Sequence, residues 1–143
     1  MTFLANNYNR KKISFKKGIG SYLVATNGKK YLDFCSGIAV NSLGHANPRL
    51  VKALYKQAKK VWHVSNAFTI PEGEMLAKKL VKKTFADSVI FQNSGTEATE
   101  AAIKVARRYF YSIGKPKKNR ILCVKNSFHG RTIAAIFASG SKK

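Results

Sequence analysis

The hydrophobic rhythm of this chain changes after residue 87. Ser88-Val89-Ile90-Phe91 is a short, nearly continuous apolar run of the kind a buried parallel strand requires, and Gly95 to Ser112 follows almost at once with the spacing of a long helix. Gly114-Lys115-Pro116 breaks that helix. Arg120 to Lys125 then supplies a second apolar run, Ile121-Leu122-Cys123-Val124, before a glycine-bearing turn and a further helix from Arg131. Strand, helix, strand and helix at this spacing predict a βαβ unit and place the chain in the α/β class.

The first half reads differently. Ser21 to Ala25 and Lys30 to Phe34 carry β-formers on either side of Thr26-Asn27-Gly28-Lys29, and Asn-Gly is a strong hairpin-turn signal. A glycine-punctuated loop from Ser36 to Asn47 ends at Pro48, which suits the first turn of a helix because its missing N–H would be unpaired there. Leu50, Val51, Leu54, Tyr55, Ala58 and Val61 recur at helical spacing and predict an amphipathic helix from Pro48 to Trp62. A second helix is predicted from about Pro71 to Thr84, with Glu72 and Glu74 in its first turn and lysines later, as the helix dipole prefers.

With 45% hydrophobic and 11% aromatic residues over 143 positions, the chain can build a packed core. No apolar run is long enough for a membrane span, and the N-terminus lacks a signal-peptide pattern, so a soluble, cytoplasmic protein is expected. Cys35 and Cys123 stand far apart without metal-ligand spacing and read as reduced thiols of the core. The charge is unusual: 27 Lys and Arg against 6 Asp and Glu, formally +21. The cations are scattered pairs, such as Lys11-Lys12, Lys59-Lys60 and Lys117-Lys118, outside any nucleic-acid-binding motif. They predict a solvated basic face; a polyanion-binding protein is the alternative reading.

Asn93-Ser94-Gly95-Thr96-Glu97-Ala98 lies where a predicted strand ends and a helix begins, which is where an open α/β sheet places anionic ligands. Free N–H groups and the helix dipole converge there, Gly95 lets a ligand approach closely, and Ser94 and Thr96 add hydroxyl donors. Ser94 and Glu97 also form the S-x-x-E arrangement of a capping box, which closes a helix without any ligand. Both readings are open at this level. The second cluster, Asn126 to Thr132, follows the next predicted strand and should face the same crevice. Phe128 could cover a planar heterocycle, His129 could touch the ring or order its loop, and Arg131 could clamp a carboxylate.

Five segments in order, Asp33 to Val40, Leu43-Gly44-His45, Trp62 to Asn66, Asn93 to Ala98 and Phe128 to Thr132, resemble the class III pyridoxal-phosphate-dependent aminotransferases over nearly the whole chain. The resemblance implies a fold-type I transferase: residues 1–47 contribute a hairpin segment to a small domain, and 48–143 begin the large cofactor-binding domain. It implies pyridoxal 5′-phosphate as cofactor, with Ser94, Gly95 and Thr96 on its phosphate, Phe128 stacked on its ring with His129 nearby, and Arg131 on the substrate carboxylate. It leans toward members that move an amino group between N-acetylornithine and 2-oxoglutarate in arginine biosynthesis, and it implies a homodimer. Thr99 departs from the asparagine common there. The lysine that forms the Schiff base lies beyond the matched stretch in this family, so the chain is expected to be an N-terminal portion, inactive by itself, with no catalytic residue and no metal site.

Overall fold

The computed structural model describes residues 3–140. The chain divides into two compact units, one running to Phe68 and the other starting at Thr69.

The first unit is built on a three-stranded antiparallel sheet, β1 (Phe15–Ile19), β2 (Tyr22–Ala25) and β3 (Lys30–Leu32), in the order β1-β2-β3. The expected hairpin is β2–β3. Its turn uses three residues rather than two: Gly28 N–H donates to the Ala25 carbonyl at 2.9 Å, and Gly28 closes the turn with a left-handed φ of 86°. Strand β1 was not foreseen, because its FKKGI sequence carries two consecutive lysines and a glycine. Phe15 packs edge-on against Tyr31, with ring centroids 5.6 Å apart.

Within the expected loop, Ser36–Ala39 forms a single turn, α1, with the opposite hand to an ordinary helix: Ser36, Gly37, Ile38 and Ala39 have φ of 41°, 66°, 62° and 62°. A β-branched residue in this region is strained, so the turn needs outside support. Asp33 supplies it. One carboxylate oxygen accepts the N–H groups of Cys35 and Ser36 at 3.1 and 2.9 Å, and the other lies 2.7 Å from His45 Nε2. His45 is tied to the sheet through a two-way backbone bridge with Gly20, and a Cβ on Gly18 would collide with its side chain. The His45 hydrogen bond first, then the Ser36 N–H, hold the Asp33 carboxyl below the usual carboxylate range.

Helix α2 (Pro48–Ala58) starts as expected, with Asn47 Oδ1 accepting from Arg49 and Leu50 N–H. It stops four residues short of Trp62. The Trp62 indole N–H takes the Ala58 carbonyl at 2.7 Å, the acceptor that Trp62's own backbone N–H would need to continue the helix.

In the second unit, α3 (Pro71–Val81) ends before Thr84, whose hydroxyl takes the Leu80 carbonyl at 3.0 Å. Helix α4 spans Gly95–Ser112 as predicted, and Gly114 at φ of 75° turns the chain out of it. Helix α5 (Ile133–Ser139) begins after its cap Thr132 rather than at Arg131. Its Ala135 is fully buried, and α5 lies in contact with α4. Ser88–Phe91 and Ile121–Val124 were expected as strands and carry no regular structure here. A strand exists only through a ladder of backbone bonds, and no such ladder joins either run to another described segment. Among the described residues only Ala25 and Ala135 are buried apolar residues, leaving apolar side chains such as Leu54 and Tyr55 open, and the two cysteines are not core residues as expected: Cys35 is exposed and Cys123 half-buried. No described helix is long and apolar enough to cross a membrane.

Candidate functional site

The N-terminus of α4 is closed by Ser94, whose hydroxyl accepts from Glu97 N–H at 3.3 Å and donates to Glu97 Oε2 at 2.9 Å. The capping box foreseen in the sequence is therefore formed. The Ser94 hydroxyl and, next, the Asn93 amide keep the Glu97 carboxyl below its ordinary value. Capping does not consume the other donors. Among the described residues the N–H groups of Gly95 and Thr96 have no hydrogen-bond partner, and nothing occupies the space above Gly95. Two unpaired N–H groups in the first turn of an 18-residue helix form a seat for an anionic oxygen.

The segment after residue 125 folds against this terminus. Gly130 sits at φ of 124°, and a Cβ there would overlap the Thr96 side chain, so only glycine lets the two backbones approach this closely. As a result Ser94, Gly95, Thr96, Thr99, Phe128, His129, Gly130 and Arg131 line one concavity of about 380 Å³. All six residues singled out in the sequence are on its wall. A neighbouring hollow of about 500 Å³ between α4, Ile121–Val124 and α5 is larger but lined mostly by apolar side chains, with Thr99, Ser127 and His129 as its polar ones.

Each residue has a definite setting. Phe128 is 77% exposed, and the Arg131 guanidinium lies over its ring at 5.9 Å from the centroid, a cation–π contact that holds both at the rim. Ser127 has one hydroxyl hydrogen and gives it to the Val124 carbonyl at 2.6 Å, so His129 Nε2, 2.8 Å from the same oxygen, must carry a proton and donate. His129 is thereby fixed as part of its loop. Thr99 bonds back to the Gly95 carbonyl at 3.1 Å.

Two residues that the sequence reading gave no role complete the arrangement. Thr132 Oγ1 lies 3.3 Å from Thr96 Oγ1 and donates to Glu100 Oε1 at 2.5 Å. Glu100 stands one helical turn beyond Thr96 on the same face, but spacing alone says nothing of the hydrogen direction through which it acts.

The family model described as Aminotransferase class-III matches residues 3–143. The acetylornithine aminotransferase of Agrobacterium fabrum is 54% identical over 140 residues, covering 98% of this chain and 35% of that protein. That of Aquifex aeolicus is 51% identical over 144 residues, covering 100% and 38%. The chain thus spans about a third of the length of the curated relatives it matches. Among solved structures, N-acetylornithine aminotransferase from Stenotrophomonas maltophilia superposes with a TM-score of 0.77 at 40% identity, over 86% of this chain and 34% of that one. Adenosylmethionine-8-amino-7-oxononanoate aminotransferase from Methanocaldococcus jannaschii gives 0.89 at 31% identity, over 95% and 33%. The α/β architecture of these enzymes is therefore the fold that this chain takes part in.

Proposed function

This chain belongs to the class-III aminotransferases, and from that premise we propose that its α4 terminus holds the phosphate of pyridoxal 5′-phosphate in an enzyme that moves amino groups between N-acetylornithine and 2-oxoglutarate. The observation that carries the reading is the pair of unpaired N–H groups on Gly95 and Thr96, set beside an aromatic face and a guanidinium on one wall. That donor set fits a ligand with an anionic end and a flat ring.

When bound, the cofactor supplies an electron sink for the substrate's reacting carbon. The residues of this chain bind and orient. Gly95 and Thr96 N–H donate to phosphate oxygens, and the helix dipole adds to the attraction. Ser94 acts mainly by keeping that helix end open and ordered, since its hydroxyl is committed to Glu97. Phe128 offers its exposed face to the ring, with His129 setting the loop beneath it. Arg131 turns its fork to the substrate carboxylate, exchanging its place over Phe128 for a charge-assisted pair. The amino donor follows from the names of the relatives; arginine biosynthesis, a cytoplasmic location and a homodimeric whole protein belong to the same proposal.

The test is equilibrium binding of pyridoxine 5′-phosphate against pyridoxine. Neither has an aldehyde, so the many surface lysines cannot react with them. Preference for the phosphate ester that survives 0.15 M salt, at which exposed charges are screened beyond about 8 Å, supports the site. Equal affinity for the two removes it.

A further inference from the structure

Glu100 and Thr132 stand behind Thr96, outside the lining of the concavity. A carboxylate oxygen can only accept, so in the 2.5 Å contact the Thr132 hydroxyl gives its one hydrogen to Glu100. Thr132 then has only lone pairs left. One accepts from Ala135 N–H at 3.4 Å and another faces Thr96 Oγ1 at 3.3 Å. In that contact Thr96 must be the donor, and its hydrogen points to Thr132, which is off the concavity wall.

We propose that Glu100, acting through Thr132, sets the direction of this chain of hydroxyls and so limits how tightly the Thr96 side chain holds an anion. The proposal rests on the phosphate-site reading above and makes Glu100 and Thr132 positioning residues. An anion at the turn draws on the Thr96 hydrogen. Once that hydrogen turns to the anion, lone pairs on Thr96 and Thr132 face each other unless Thr132 also reverses, and the Glu100 carboxylate has no hydrogen to give in return. Binding therefore disrupts a satisfied chain. Before an anion arrives the same chain ties the first turn of α4 to the cap of α5, Thr132. Ser94 has no comparable freedom, its hydrogen being fixed on Glu97.

Glutamine at position 100 changes the sign of the effect. Its amide can donate to Thr132, which can then donate to Thr96, and every hydrogen of the chain points toward the anion. In titrations of the full chain, Glu100→Gln should bind pyridoxine 5′-phosphate about three- to tenfold tighter, the worth of one net hydrogen bond, and pyridoxine no differently. A residue with a merely structural role would not improve binding when altered. Loss of a nearby negative charge would also tighten binding, so the relay is tested in a Thr132→Val background, where the gain must vanish. Since Thr132 also caps α5, the comparison is repeated in Thr96→Val, which removes the last hydroxyl of the chain and must likewise abolish the gain. Unchanged or weaker binding in Glu100→Gln, or a gain that persists in either background, overturns the proposal. A wild-type chain that does not distinguish the phosphate ester from pyridoxine overturns the phosphate site itself, and the relay with it.

Discussion

Replacing Gly130 with alanine perturbs the closest approach in the site. At φ of 124° an L-side chain is strained by about 1–3 kcal/mol. The new methyl would also overlap the Thr96 side chain and stand 3.0 Å from its Cα, and relieving that overpacking by moving backbone costs a further 1–3 kcal/mol or so. Together these amount to about 2–6 kcal/mol against the docking of residues 128–132 on α4. At about 1.4 kcal/mol per tenfold, even the lower figure should speed amide hydrogen exchange across α5 by about 30-fold. Affinity for pyridoxine 5′-phosphate should fall with it, while exchange in the β1–β3 sheet of the other unit stays as it was. Unchanged exchange in α5 together with unchanged affinity would refute the close-contact role of Gly130.

Thr96→Ala combined with Ser94→Ala should weaken binding of pyridoxine 5′-phosphate but not of pyridoxine, and loss of the Ser94 cap should also cost about 1 kcal/mol of α4 stability, visible by circular dichroism. Arg131→Ala should reduce phosphate-ester affinity less than that double variant does; a larger loss would place Arg131 on the phosphate instead of on a carboxylate. The Asp33 carboxyl is depressed, so its stabilisation of the left-handed turn is present above the ordinary carboxylate value near pH 4 and disappears as pH falls through the lower folded value. Proteolysis or amide exchange at Ser36–Asn41 should therefore accelerate only below about pH 4, and Asp33→Ala should show the fast behaviour at neutral pH. Asn47→Ala should cost about 1 kcal/mol in α2, measured as lost helicity.

What the sequence disclosed depended on how local the determinant was. Helix α4 was legible to the residue because both ends are written in the chain, the S-x-x-E cap at Ser94 and the Gly114-Lys115-Pro116 break. The β2–β3 hairpin was legible for the same reason, though Asn27-Gly28 makes a three-residue turn. Helices α2 and α3 ran short where a side chain, Trp62 or Thr84, took a carbonyl that periodicity assigned to the backbone. The left-handed turn at Ser36–Ala39 could not be read, because its conformation is imposed by Asp33 and by His45, which is distant in sequence. Ser88–Phe91 and Ile121–Val124 have strand composition but no ladder partner among the described residues, and composition alone does not make a strand.

The six candidate site residues sit in two motifs at element boundaries, and the fold brings both motifs to one wall. Thr132 and Glu100 escaped notice because their part lies in hydrogen direction. That follows from which atoms meet, and no spacing rule encodes it.

The phosphate seat in the first turn of α4 is open to direct test by backbone amide resonances during titration with pyridoxine 5′-phosphate. The Gly95 and Thr96 amides should show the largest shifts, saturating together, with smaller changes at Phe128 to Arg131. Shifts spread over the lysine-rich surfaces, with Gly95 and Thr96 unmoved, would contradict it.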